Sequence, residues 1–136
     1  MEKNREKKEF LLPSDLTQVQ GASLRALDFL KPLNLTEGLS FDIRLCLEEA
    51  LINAMKYGNR LRKDLKVRLE VEYDDDEIRL TVEDRGEGFD LRNLADCTDN
   101  ANILRNHGRG VYLIHQLMDS VKYNAKGNCL VMTKRL

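Results

Sequence analysis

The spacing of apolar residues predicts an α+β fold, a two-layer sandwich in which helices cover one face of a mostly antiparallel sheet. Strand-like runs occur as adjacent pairs, and helix-like runs stand between these pairs. No internal repeat or low-complexity tract interrupts this order. Because strands that are adjacent in sequence form antiparallel hairpins, the helices between them are expected to pack together on one face of the sheet.

The chain begins with one predicted strand and one predicted helix. A short extended run over residues 9–12 ends at Pro13. Ser14 or Asp15 can then cap a helix that is stopped by residues 32–34, which include a proline.

The second predicted helix carries polar residues within an apolar pattern. We expect it to begin near Ser40, whose hydroxyl can serve as N-cap, and to reach a left-handed ending at Gly58 and Asn59. Two strands, a long loop, a third helix and two more strands follow this helix.

The second half of the chain contains two predicted hairpins around a long loop. Alternating runs over 67–73 and 78–82, separated by three aspartates, predict half-buried strands. Periodicity is lost over 86–110, and loops of this length in compact domains are usually functional or mobile. A third helix over 111–118 and a final hairpin over 121–132 complete the order.

Composition and charge limit the classes of function. We expect a single domain over 1–136 with a disordered tail over 1–8, since 136 residues are enough for one core. The 22 Lys and Arg against 23 Asp and Glu offer no basic surface, so no nucleic-acid partner is expected. No apolar segment suits a signal peptide or a membrane span, which predicts a cytoplasmic protein without a membrane partner. Cys46, Cys97 and Cys129 lack the spacing of a disulfide framework or a zinc site.

The second predicted helix carries two polar stripes. Glu49 and Asn53 lie in one stripe between apolar neighbours, and Arg44 and Glu48 lie in the other. If one stripe faces water, the other can line a cavity. From this helix alone, a surface pair of Glu49 and Asn53 explains the pattern equally well.

The segment from Asp84 to Phe89, D-R-G-E-G-F, directly follows a predicted strand. Its aspartate can accept a hydrogen bond from an exocyclic amine, and Gly86 and Gly88 allow the backbone to approach a planar base or phosphates. Taken alone, this turn is explained equally well as a plain loop exit.

Gly108, Arg109 and Gly110 open the third predicted helix. A glycine-rich helix start presents free N–H groups and the positive end of the helix dipole to an anion, which suits a phosphate. A hinge before a helix, with Arg109 in solvent, is the alternative interpretation.

In this order and on these elements, the three segments resemble the N, G1 and G2 boxes of the gyrase, histidine kinase and MutL-type ATPase superfamily, which has the Bergerat ATP-binding fold. The motifs span residues 41–118, and the closing strands extend the likeness to residue 136. E-A-L-I-N-A from Glu49, Y-G-N from Tyr57 and H-G-R-G-V-Y-L from His107 make the chain resemble the bacterial anti-sigma-factor serine kinases in particular.

This resemblance implies a role for each matching residue. Glu49 would be the catalytic general base, Asn53 would hold Mg²⁺ with the phosphates of ATP, and Asp84 would bind the adenine amine. The further nucleotide-binding positions would be Gly86, Gly88, Phe89, Gly108, Arg109 and Gly110.

The resemblance also implies a function, the ATP- and Mg²⁺-dependent phosphorylation of a serine or threonine on a STAS-type anti-anti-sigma partner. A sigma factor and a second copy of the chain are further candidate partners. Two alternatives stay open. The first is an ATP-binding switch that regulates a phosphatase or other partner, and the second is a detached histidine-kinase catalytic domain. Glu49 favours the serine or threonine kinase, because an alcohol needs a stronger base than an imidazole does.

Overall fold

The computed structural model describes residues 5–86 and 108–136, and these ranges contain five strands and three α-helices. In chain order the elements are β1 (Glu6–Pro13), α1 (Val19–Phe29), α2 (Glu37–Asn53), β2 (Lys66–Tyr73), β3 (Glu77–Glu83), α3 (Gly108–Leu117), β4 (Ser120–Tyr123) and β5 (Cys129–Arg135). Short 3-10 turns precede and follow α1, and a π-helical turn, Ala54–Gly58, continues α2.

The strands form one antiparallel sheet in the order β1-β2-β3-β5-β4. Apolar residues alternate with polar ones along β2 and β3, so that Leu69 of β2 lies beside Val82 of β3 and both are buried on the helix side. The other side of the sheet is polar, and there Arg68 contacts Glu83 at 3.1 Å and Glu70 at 2.9 Å. This difference between the two faces confirms the predicted two-layer α+β sandwich.

The three helices cover the apolar face of the sheet. α2 packs against both α1 and α3, and its residues Ile43, Leu47 and Leu51 are fully buried. Cys46 is buried beside them and is a free thiol, as is Cys129. Within the described ranges, no helix is long and apolar enough to cross a membrane.

β1 begins earlier than the sequence indicates. The prediction of a disordered tail over 1–8 is wrong for residues 6–8, because Glu6 lies opposite Tyr73 and Lys8 lies opposite Val71 in the ladder with β2. An edge strand pairs through its backbone and tolerates charged side chains, so a run of charges does not prevent pairing.

Of the two candidate capping residues before α1, Ser14 and Asp15, only Asp15 acts as a cap. Asp15 caps the 3-10 turn that leads into α1, since its Oδ1 accepts a hydrogen bond from the Thr17 N–H at 3.0 Å. Ser14 instead donates to the Leu65 carbonyl at 2.5 Å, which ties the end of β1 to the residues before β2.

The start of α2 lies before the predicted one. Thr36 is the N-cap, and its Oγ1 accepts a hydrogen bond from the Leu39 N–H at 3.2 Å. Ser40 lies inside the first turn, where its N–H donates to the Thr36 carbonyl. Both hydroxyl residues suit an N-cap, and the backbone conformation selects the earlier one.

The end of α2 also differs from the prediction. The helix passes into the π-helical turn, and the left-handed residues are Arg60 (φ 53°) and Leu61 (φ 59°) rather than Gly58 and Asn59. Asn59 has a right-handed conformation, with φ −91°. The glycine and the asparagine are therefore needed at this place for a reason other than ending the helix.

The different roles of Thr36 and Ser40 can be tested by two substitutions. Thr36→Ala should lower the free energy of unfolding by about 1 kcal/mol, because the Leu39 N–H loses its acceptor. Ser40→Ala should change it by only a few tenths of a kcal/mol. Urea denaturation of both variants measures the difference, and an equal loss in both would contradict the assigned cap.

Candidate functional site

Asp84 directly follows β3, and its side chain is buried in the described structure, with 7% of the residue exposed. Its N–H donates to the carbonyl of Asn128 at 2.9 Å, and the Asn128 Nδ2 donates to the carbonyl of Asp84 at 2.9 Å. These reciprocal bonds fix the main chain of Asp84 at the point where the pairing of β3 with β5 ends.

The carboxyl group of Asp84 has an unusual electrostatic environment. Burial raises its pKa from the ordinary value of 3.8 to about 6, although the Gly86 N–H and the positive charge of Lys126 act in the opposite direction. The Gly86 N–H donates to Oδ1 at 2.8 Å, and no residue in the described ranges donates a hydrogen bond to Oδ2. A buried carboxyl group with a perturbed pKa is typical of functional sites.

Two glycines bring the end of α2 against Asp84. A Cβ atom on Gly86 would overlap the carbonyl group of Gly58, and a Cβ atom on Gly58 would overlap the carboxylate of Asp84. The π-helical turn and the exit of β3 therefore approach each other closely because neither glycine carries a side chain. Sequence analysis assigned Gly58 to helix termination and to the Y-G-N segment of the resemblance, and nothing in the sequence pairs it with Gly86.

Asn59 is a buried residue that joins three parts of the chain. Its Oδ1 accepts a hydrogen bond from the Arg85 N–H at 2.7 Å. Its Nδ2 donates to the Ser14 Oγ at 2.9 Å and to the carbonyls of Leu65 at 3.2 Å and Lys66 at 3.3 Å. This side chain connects the ends of β1 and β2 to the turn after Asp84, a role that sequence analysis missed.

Glu49 and Asn53 lie on α2, one helical turn apart, and both are half-buried. Asn53 is the last residue of α2 and directly precedes the π-helical turn whose Gly58 reaches Asp84. Glu49 lies about 6 Å before Asn53 along the helix axis. Glu48 forms an ion pair with Arg44 at 2.8 Å, whereas no hydrogen bond joins Glu49 to Asn53 in the described part of the chain.

Three further sequence-predicted positions belong to α3. Gly108, Arg109 and Gly110 form the first turn of α3, which packs against α2. Backbone N–H groups at a helix start lack intrahelical partners and favour anions. Gly88, Phe89 and most of the predicted loop over 86–110 lie outside the described residues.

The donor set fits a metal that is bound together with a phosphate ligand. Among the residues that the structure describes, no group of three or more His, Cys, Asp or Glu side chains could hold a metal ion by itself. Mg²⁺ in nucleotide sites retains several waters and takes only one or two protein ligands besides phosphate oxygens. The amide oxygen of Asn53 is suitable for such an ion.

Comparison with known proteins shows which family the chain resembles. The family model of the histidine kinase-like ATPase domain matches residues 12–134. A serine-protein kinase RsbW of Listeria monocytogenes is 32% identical over 100 residues, and one of Staphylococcus epidermidis is 35% identical over 101 residues. Each alignment covers 68% of this chain and 64% of the relative, so the chain spans less than two thirds of these curated relatives. The resemblance inferred from the three boxes is confirmed.

The raised pKa of Asp84 predicts a pH dependence of stability. Between pH 4 and 6 the folded protein binds more protons at this site than the unfolded chain does, so its free energy of unfolding should fall as the pH rises. Asp84→Asn lacks this titration while it keeps the other acidic groups. Urea denaturation of both proteins from pH 4 to pH 7 should show the variant gaining stability relative to the wild type. A difference that is independent of pH would contradict the raised pKa.

Proposed function

Because the chain belongs to the histidine kinase-like ATPase domain family, we propose that it binds ATP with Mg²⁺ and transfers the γ-phosphate to a serine or threonine of a protein partner. The buried carboxyl group of Asp84, held between Gly58 and Gly86, is the observation that carries this proposal. Similarity to relatives named serine-protein kinases supports the choice of acceptor.

Asp84 is suited to recognise the adenine base. Its Oδ1 is engaged by the Gly86 N–H, which leaves Oδ2 to accept a hydrogen bond from an exocyclic amine. Above a pH of about 6 the carboxyl group is ionised, and an ionised acceptor forms stronger hydrogen bonds than a neutral one. The backbone at Gly86 carries no side chain that would keep a flat base away.

The phosphates of ATP are assigned to the first turn of α3 and to Asn53, whereas the base is assigned to Asp84. The first turn of α3, Gly108 to Gly110, supplies N–H groups and the positive end of the helix dipole. The side-chain oxygen of Asn53 would hold Mg²⁺, which neutralises charge on the phosphates when bound. The protein contributes mainly position and charge to phosphoryl transfer, so these few groups are sufficient.

Glu49 is assigned as the general base. It lies on the same rigid helix as Asn53, and a separation of about 6 Å along the axis allows one residue to hold the metal while the other faces the acceptor hydroxyl. Its carboxylate would accept the hydroxyl proton as the oxygen attacks the γ-phosphate. Glu48 is paired with Arg44 and is not suited to this role.

The partner assignment rests on the resemblance to the anti-sigma-factor kinases. Within the same proposal, the acceptor is a STAS-type anti-anti-sigma protein and a sigma factor is the sequestered partner. The chain acts in the cytoplasm as one domain, which can pair with a second copy. No nucleic acid is a partner, in agreement with the net charge of −1.

The nucleotide assignment predicts the behaviour of Asp84→Ala. Isothermal calorimetry of the wild type should show one site for ATP with Mg²⁺, and the variant should bind about tenfold to a hundredfold more weakly, because a charged hydrogen bond to the base is lost. Asp75→Ala removes an exposed aspartate at the turn between β2 and β3 and is the matched control. If Asp84→Ala binds as tightly as this control, the pocket assignment is wrong.

The kinase assignment predicts the behaviour of Glu49→Gln. The variant keeps size and hydrogen bonding but loses the base, so transfer of labelled phosphate to a STAS-type partner should fall by about a hundredfold to ten-thousandfold. Its affinity for ATP should stay nearly level. Glu48→Gln is the control on the same helix and should transfer at the wild-type rate, whereas Asn53→Ala should impair both binding and transfer.

Two results would replace the kinase by the ATP-dependent switch. The first is the failure of the wild-type protein to label a serine or threonine on STAS-type partners encoded near it. The second is a rate of transfer by Glu49→Gln that equals the wild-type rate while ATP binding is intact.

A further inference from the structure

We propose that Asn128 is a positioning residue, whose side-chain amide holds the main chain of Asp84 and thereby aims the Asp84 carboxylate at the nucleotide. This inference rests on the proposed role of Asp84 in binding adenine. Sequence analysis gave Asn128 no role, because it lies in the turn between β4 and β5 and far from the three boxes.

The turn after β3 has no regular ladder to support it. Pairing of β3 with β5 ends where Glu83 lies opposite Cys129, yet Asp84 is still buried and Gly86 is half-buried, with the exposed Arg85 between them. Buried backbone groups require hydrogen-bond partners, and here side chains must supply some of them. The conformation that presents the Asp84 carboxylate therefore depends on side chains that reach this turn from other elements.

Three successive N–H groups of this turn each have an acceptor of a different kind. The Asp84 N–H donates to the main-chain carbonyl of Asn128, the Arg85 N–H to the side-chain Oδ1 of Asn59, and the Gly86 N–H to the carboxylate of Asp84 itself. The carbonyl of Asp84 accepts from the Nδ2 of Asn128. Asn128 thus binds both polar groups of the Asp84 main chain, while Asn59 holds the following residue from the opposite side.

The amide of Asn128 is itself held in one orientation. The Asn124 Nδ2 donates to the Asn128 Oδ1 at 2.8 Å, which directs the Asn128 Nδ2 towards the carbonyl of Asp84. The Asn124 Oδ1 in turn accepts from the N–H groups of Gly127 at 2.8 Å, Asn128 at 3.0 Å and Cys129 at 3.2 Å. Gly127 has φ 83°, so the turn has a fixed shape that any other residue would strain. The support for Asp84 is preorganised before a nucleotide arrives.

Asn128 is the better of the two asparagines for a test of positioning. Asn59 is 1% exposed and also joins β1 to β2, so its loss would affect folding. Asn128 is half-buried in a surface turn. Its truncation removes the bond to the Asp84 carbonyl but leaves the bond between the Asp84 N–H and the main-chain carbonyl of residue 128.

The experiment is a double-mutant cycle in ATP affinity, measured by calorimetry on variants that circular dichroism shows to be folded. Asn128→Ala should weaken binding about threefold to tenfold, the effect of one lost neutral hydrogen bond. In the Asp84→Asn background, which lacks the charged acceptor, Asn128→Ala should weaken binding much less, because residues that act through one another are not additive. Gln20→Ala removes an exposed amide on α1 and should leave affinity unchanged.

A second variant tests the direction of the hydrogen bond. Asn128→Asp keeps the shape of the side chain and the acceptor for Asn124, but it offers no donor to the carbonyl of Asp84. It should bind ATP at least as weakly as Asn128→Ala does. Wild-type affinity in Asn128→Asp or in Asn128→Ala would overturn the proposal.

The remaining outcomes separate this proposal from the one on which it rests. An equal loss from Asn128→Ala in both backgrounds would assign Asn128 a general structural role and overturn the positioning role alone. Failure of the wild type to bind ATP would overturn the nucleotide assignment, and the role of Asn128 with it.

Discussion

Gly58 and Gly86 allow the end of a helix to pack closely against the exit of a strand and the carboxylate of Asp84, because neither glycine carries a side chain. A Cβ atom at either position would overlap the opposite segment or the carboxylate of Asp84, so this backbone contact fixes the distance between the helix layer and the end of β3. The rest of the site depends on this contact. It buries the carboxyl group of Asp84, and burial in turn raises the pKa of that group to about 6. It also fixes where α2, with Asn53 near its end, lies relative to the exit of β3.

Such a close contact removes polar backbone groups from water. The side chains of Asn59 and Asn128 supply hydrogen-bond partners for two of these groups. Asn59 accepts from the Arg85 N–H on one side of the turn, and Asn128 donates to the carbonyl of Asp84 on the other. Unpaired buried polar groups cost about 1 to 3 kcal/mol each, which is a large fraction of the stability of a small domain. The amides therefore stabilise the fold and also hold the conformation that presents the carboxylate. Structural and functional roles coincide because the site lies where regular pairing ends.

Much of the fold and of the candidate site could be predicted from the sequence. The alternation of apolar residues predicts which residues of β2 and β3 face the helices. The short turns between adjacent strands predict antiparallel pairing. Glu49, Asn53 and Asp84 were proposed as site residues because they stand at defined places on a helix and after a strand, and their roles stay predictions. Errors occurred at the ends of elements. Both Thr36 and Ser40 can cap α2, and local composition does not decide between them. The charged residues before Glu9 suggested a disordered tail, although residues 6–8 pair with β2 as part of an edge strand.

The sequence by itself determined the class of fold, the order of its elements and the residue types that suit an ATP site. It could not determine that Gly58 lies against Gly86, that Asn59 joins β1, β2 and the Asp84 turn, or that Asn128 holds the main chain of Asp84. The physical reason is that these contacts join residues that are distant in the chain. A glycine or asparagine that makes such a contact has the same local sequence pattern as one in an ordinary surface turn. Only the packing of α2 against the sheet decides which backbone groups are buried there, and so which side chains must satisfy them.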